Sequence, residues 1–150
     1  MSKPQSKPKK TKHTAKSQAE TKKIASKLLQ DMGHKGIICL YGSLGAGKTT
    51  FVKGLSESLG IPEMSIKSPT YTYLREYITP THSIYHFDLY RLEGKPEVAR
   101  HMVQEVLEKN PDLLLIEWAE YLGSFLPEKR TDIFIEVEGD TDRIIRIEER

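Results

Sequence analysis

The sequence predicts a three-layer α/β fold: a mixed sheet, parallel at its centre and antiparallel at its margins, with helices packed on it. Three observations carry this. Two short apolar runs, "GIICLYG" at 36–42 and "DLLLIEW" at 112–118, have the length and composition of buried strands. Segments with helical spacing alternate with them. Two pairs of alternating segments, 70–78 with 82–90 and 132–139 with 142–149, are joined by turn residues, as antiparallel hairpins are.

The first helix is predicted from Ser17. Ser17-Gln18-Ala19-Glu20 fits a capping box, in which Ser17 accepts from a free N–H and Glu20 reaches back. Ile24, Leu28 and Leu29 recur at helical spacing, and Gly33 and Gly36 end the segment. Cys39 lies inside the first apolar run. A core thiol fits it better than a nucleophile, since no activating group adjoins it in sequence. "KTTFVKGLSESLG" puts Phe51, Val52, Leu55 and Leu59 on one helical face, and Gly60 and Pro62 stop it. Pro80 sits in the first hairpin's connector. A third helix is predicted over 96–109, beginning near Pro96. The second apolar strand follows, then a loop through Pro127 and a closing hairpin around "GDTD".

At 150 residues the chain is one domain's worth, with room for a core. A single cysteine excludes an internal disulfide and suits a reducing compartment. No apolar run approaches the ~20 residues of a membrane helix, and no apolar segment follows the basic N-terminus as in a signal peptide. A cytoplasmic protein without membrane contact is expected. The net charge of +2 is uneven. Residues 1–16 hold six of the 23 Lys and Arg and no acid, which leaves 17 basic against 21 acidic residues, or −4, beyond them. A Lys/Pro/Ser/Thr segment cannot bury enough apolar area to order itself. The expected organisation is a disordered basic tail over 1–16 and one folded domain over 17–150. Such a tail either solubilises the chain or contacts RNA phosphates without reading sequence; charge runs are more often solvated.

"GSLGAGKTT" at 42–50 carries the chemistry. Gly42, four residues, then Gly47-Lys48-Thr49 match the phosphate-loop pattern, with a strand predicted before it and a helix after it. Gly42, Gly45 and Gly47 let the backbone approach phosphate oxygens with N–H groups pointing inward. The helix N-terminus adds partial positive charge. Lys48 is expected to reach the β- and γ-phosphates, Thr49 to hold Mg²⁺, and Thr50 to reach the α-phosphate. The expected architecture is therefore P-loop NTPase-like, with Gly42, Gly45, Ala46, Gly47, Lys48, Thr49 and Thr50 binding nucleotide.

Such a loop works with a carboxylate at the end of a neighbouring strand. Glu117 ends "LLLI", where a carboxylate is costly unless it faces an ion or a cleft. Asp88 in "YHFDLY" is the other candidate; an ordinary ion pair with Arg91 is its alternative role. Thr70, in "KSPTYT", follows Pro69, which forces Ser68 extended. A threonine there either senses a γ-phosphate as switch segments do or is plain strand chemistry.

"GSLGAGKTTFVKGL", "KSPTYT", "YHFDLYRL" and "LLIEWAE" together resemble, in order and spacing, the TsaE (YjeE) family, bacterial P-loop ATPases of tRNA threonylcarbamoyladenosine (t6A) biosynthesis. The resemblance covers about residues 17–150. It implies a protein that binds ATP and Mg²⁺ and hydrolyses ATP slowly. It implies action with TsaD and TsaB, where TsaD transfers the threonylcarbamoyl group and tRNA is met through the complex. The free protein is expected to be a monomer. On matching positions, Lys48 and Thr49 carry phosphate and Mg²⁺ roles, and Glu117 is the second Mg²⁺ ligand. Asp88 and Thr70 match residues required for activity. Trp118 follows the acidic ligand as in the family, whether by contact with the site or by packing beside it. Ser17 and Thr21 lie where the family's N-terminal segment approaches adenine, and Arg143 matches a basic position near the nucleotide.

The chain departs from the family at Ser43, where Asp is usual; losing that charge bears on hydrolysis more than on binding. Residues 93–110 diverge, and the lysine-rich tail is unexpected. Two other readings fit a phosphate loop. A small-molecule kinase needs an arginine-rich lid, whereas Arg75, Arg91, Arg100 and Arg130 are scattered. A non-hydrolysing, nucleotide-gated adaptor is compatible with Ser43. No guanine-reading N-K-x-D pattern occurs, which favours ATP.

Overall fold

The computed structural model describes residues 9–43, 45–61 and 74–150. In chain order the elements are β1 (Lys9–Ala15), α1 (Gln18–Asp31), β2 (Gly36–Tyr41), α2 (Lys48–Ser58), β3 (Leu74–Ile78), β4 (Ser83–Asp88), α3 (Pro96–Leu107), β5 (Leu113–Glu117), β6 (Thr131–Glu138) and β7 (Asp142–Glu149). Short 3₁₀ turns occupy Tyr90–Leu92 and Ala119–Phe125. The strands form one sheet in the order β1-β7-β6-β2-β5-β4-β3. β6, β2, β5 and β4 are mutually parallel, and β7, β1 and β3 run antiparallel to their neighbours. This is the predicted mixed sheet, parallel at its centre.

Burial explains the centre. All five residues of β5 are buried, as a strand covered on both faces must be. Leu113 and Leu115 join Ile38, Leu40 and Ile84 under α1 and α2, which add Leu29, Phe51, Val52 and Leu55. On the opposite face Leu114 and Ile116 meet Phe87, Val103, Val106 and Leu122, beneath α3 and the 3₁₀ turns. Two cores on one sheet make the three layers.

The N-terminal expectation needs correcting. Residues 9–15 are not a disordered tail: they form β1, paired along its whole length with β7, from Lys9 opposite Glu149 to Ala15 opposite Arg143. Lysine composition argued against burial, and β1 buries little beyond Ala15. Its order comes instead from the ladder hydrogen bonds of an unfilled sheet edge. Lys9–Glu149 and Lys10–Glu148 pairs at 3.9 and 3.8 Å add charge complementarity. Lysines on an edge strand also discourage pairing with another chain. Residues 1–8 of the expected tail lie outside the described residues. The capping box is also half-formed: Ser17 Oγ accepts from Glu20 N, but the Glu20 carboxylate accepts from Lys16 N, one residue before the cap.

Candidate functional site

The register brings three strand ends together. Leu40 on β2 lies opposite Glu117 on β5, and Glu117 lies opposite Asp88 on β4. Because these strands are parallel, their carboxyl ends share one edge of the sheet, the edge where α/β proteins place ligands. The loop between β2 and α2 leaves from there.

That loop needs its glycines. Gly42 has φ 157°, and a Cβ on it would come 2.8 Å from the Ile135 carbonyl oxygen. Gly47, at φ 112°, is the N-cap of α2 and occupies a region that side chains avoid. No side chain caps that end, and α2 has no acid in its first turn. Its first N–H groups are left for an acceptor from outside the helix.

A cleft of about 250 Å³ opens beside the loop, lined by Gly45, Gly47, Lys48, Thr49, Thr50, Asp88, Glu117 and Trp118. Lys48 decides its chemistry. The residue is buried, and its Nζ has no hydrogen-bond partner among the described residues. Burial pulls its pKa below the ordinary lysine value, while Glu117, Glu120 and Asp88 pull the other way. A buried ammonium without an acceptor is costly. Open N–H groups, a cation lacking a hydrogen-bond acceptor and a side-chain hydroxyl fit a polyphosphate.

The acidic side is built differently. Glu117 is 3% exposed, and its Oε2 lies 2.7 Å from His86 Nε2, itself buried on β4. Asp88 Oδ1 accepts from Tyr90 N at 3.0 Å, which turns the chain out of β4. Among the described residues no three His, Cys, Asp or Glu side chains converge as a metal cage. The donor set at the cleft is a threonine hydroxyl and carboxylates, the hard oxygen donors that suit Mg²⁺ when phosphate and water supply the rest.

Comparison with known proteins supplies the family. The family model "Threonylcarbamoyl adenosine biosynthesis protein TsaE" matches residues 15–145. The chain belongs to the TsaE family. It is 39% identical over 127 residues to the tRNA threonylcarbamoyladenosine biosynthesis protein TsaE of Bacillus subtilis, covering 84% of this chain and 77% of that protein. The Aquifex aeolicus TsaE is 36% identical over 134 residues, covering 87% and 90%. The crystal structure of Bacillus subtilis YdiB superposes with a TM-score of 0.72 at 33% identity, covering 95% of this chain and 86% of that one. The chain is thus a t6A biosynthesis protein of the TsaE type.

The remaining residues singled out from the sequence either do not line the cleft or lie beyond the described residues. Gly42 and Ala46 shape the loop from behind, and Arg143 braces it: Arg143 Nε donates to the Ala46 carbonyl at 2.9 Å. Ser17 caps α1, two residues after Ala15, the register partner of Arg143. Thr21 is buried on α1. None of these five lines the cleft. Thr70 lies outside the described residues, as do Ser68 and Pro69. Asp88 and Arg91 both have partners. Among the described residues no helix is long and apolar enough to cross a membrane. His86 escaped the sequence reading because it sits in an apolar strand. The available signal was its i, i+2 spacing to Asp88, which puts both on one strand face.

Proposed function

We propose that this TsaE-family chain binds ATP with Mg²⁺ in the cleft and hydrolyses it slowly, serving t6A formation as a switch on TsaD and TsaB partners. The observation that carries the reading is the buried Lys48 ammonium, without a hydrogen-bond acceptor among the described residues, beside the uncapped start of α2. The loop N–H groups bind phosphate oxygens, and Lys48 stabilises charge on the transferred phosphoryl group. Thr49 and Glu117 hold the metal. Bound Mg²⁺ supplies charge neutralisation and orients the phosphates for in-line attack. Asp88, opposite Glu117 in the register, orients the attacking water or takes its proton. Ser43 leaves the loop without an acid at that position, in keeping with slow turnover.

The test is ATP hydrolysis by the purified chain, alone and with TsaD and TsaB from the same source. Slow turnover, stimulated by the partners and lost in Lys48→Ala and Glu117→Ala, is expected. Full turnover by Glu117→Ala overturns the metal assignment. Tight ATP binding without hydrolysis in either condition replaces the ATPase with a nucleotide-gated adaptor.

A further inference from the structure

We infer that His86 is a positioning residue that sets how the Glu117 carboxylate meets a divalent cation. The inference rests on the metal role proposed for Glu117. His86 lies opposite Leu115 in the β4–β5 register, so it is diagonal to Glu117 on the same sheet face. Diagonal neighbours are within reach of a long side chain. The imidazole spans that gap, and the 2.7 Å bond joins side chains that are 1% and 4% exposed.

Packing does not account for a histidine here. Ile84, two residues earlier on the same face of β4, joins the apolar core, and another aliphatic side chain would continue it more cheaply. Nor does the ring link Glu117 to anything further, because His86 Nδ1 has no partner among the described residues. Among the described residues its one hydrogen-bonded attachment is the carboxylate. A carboxylate that holds a cation is ionised and can only accept, which makes Nε2 the donor. His86 therefore donates to Glu117 Oε2, and Oε1 is the oxygen left free of that bond. Fixing the carboxylate rotamer removes an entropic cost from metal binding, as partners of metal-holding groups do elsewhere.

The measurement is Mn²⁺ binding to the full chain with ADP, read from loss of the free-ion electron paramagnetic resonance signal, which needs no turnover. Metal-free ADP affinity and thermal melts are taken on the same samples. Gln at 86 carries an amide N–H near the Nε2 position, whereas Asn is too short and Leu has no donor. We expect His86→Leu and His86→Asn to weaken Mn²⁺ binding ~10–100-fold, with metal-free ADP affinity unchanged, and His86→Gln to recover most of it. Wild-type Mn²⁺ affinity in His86→Leu and His86→Asn, beside a loss in Glu117→Gln, overturns the positioning role alone. Equal weakening in the Gln and Asn variants makes the effect one of packing and also overturns it. Wild-type affinity in Glu117→Gln overturns the metal assignment itself, and the inference with it.

Discussion

Lys48 Nζ lies 3.7 Å from the centroid of the Trp118 ring. The indole is fixed from both sides, stacked on Tyr121 at 5.7 Å and tilted against Tyr90 at 5.1 Å. Its backbone is left-handed, at φ 58°, which turns the ring out of β5 and over the loop. The ammonium thus rests on a π face, an arrangement worth about 2 kcal/mol when desolvated. Hydrogen bonds to phosphate oxygens, at about 1.5–3 kcal/mol each, outweigh that contact once more than one forms. ATP should therefore draw Lys48 off the ring. Trp118 is the only tryptophan, so its emission should change on ATP binding. Lys48→Met should abolish that change and lower ATP affinity more than tenfold. Unaltered emission at saturating ATP would show that the lysine stays on the ring.

The α1–α2 contact makes a second prediction in which two effects oppose. Gly54 sits inside α2, where alanine is favoured over glycine by about 1 kcal/mol. A Cβ at Gly54 would come 2.6 Å from Lys22 Cα and 2.7 Å from the Lys22 carbonyl oxygen, with Ala25 Cβ at 2.9 Å. Two of these atoms are backbone and cannot swing aside, so the helices must separate at a cost of about 1–3 kcal/mol. The clash should win. Gly54→Ala is expected to lower the urea midpoint, and a raised midpoint would mean that α1 yields.

The parts legible in the sequence were those where local pattern and burial coincide. β5 could be read because "LLLI" has one environment available to it, and the turn from β2 into α2 because Gly42 and Gly47 serve one backbone geometry. The closing hairpin was legible from period-2 alternation around "GDTD". β1 was not, because its lysines predict solvation and only the vacant edge of β7 supplies the partner. The His86–Glu117 bond was hidden for a related reason. Thirty-one residues separate the two side chains, and only the β4–β5 register makes them neighbours. Arg143 could be matched to a family position from sequence, but its bond to the Ala46 carbonyl depends on how β7 lies along β6.

Cys39 gives a pH prediction. Burial, reinforced by the Asp132 charge and opposed by Arg130, pushes the thiol from 9.0 up to about 12. Its folded pKa lies above its unfolded one, so the stabilisation is complete below pH 9 and is lost as pH rises toward 12. Between those values the unfolded chain has released a proton that the folded chain keeps, and stability falls by up to about 1.4 kcal/mol per pH unit from this group. Tyr41, raised chiefly by burial, adds a loss of the same sign above pH 10. In urea unfolding, the deficit of Cys39→Ala relative to wild type should shrink between pH 7 and pH 10. A constant deficit would mean that Cys39 ionises alike in both states. The native thiol should also resist thiol-specific reagents at pH 8 until the chain unfolds.

The cluster around Asp132 sets the last prediction. Asp132 Oδ1 accepts from Arg130 Nε at 2.9 Å and from the Tyr41 hydroxyl at 3.1 Å, and Oδ2 accepts from Arg150 Nε at 2.8 Å. The acid is 2% exposed, Arg130 14% and Arg150 37%, and these differences decide the ranking. Asp132→Asn keeps the shape but leaves the half-buried Arg130 cation without its buried counter-charge. Breaking a buried pair from one side costs about 3–5 kcal/mol. Arg150→Ala removes a partner that water can replace, and the Arg150 N–H bond to the Arg130 carbonyl does not depend on its side chain. That loss should be nearer 1 kcal/mol. Urea unfolding at pH 7 should therefore rank Asp132→Asn well below Arg150→Ala. In Arg130→Met/Asp132→Asn, where no charge is stranded, much of the loss should return. Equal, small losses in all three variants would mean that water reaches Asp132 and the pair is screened.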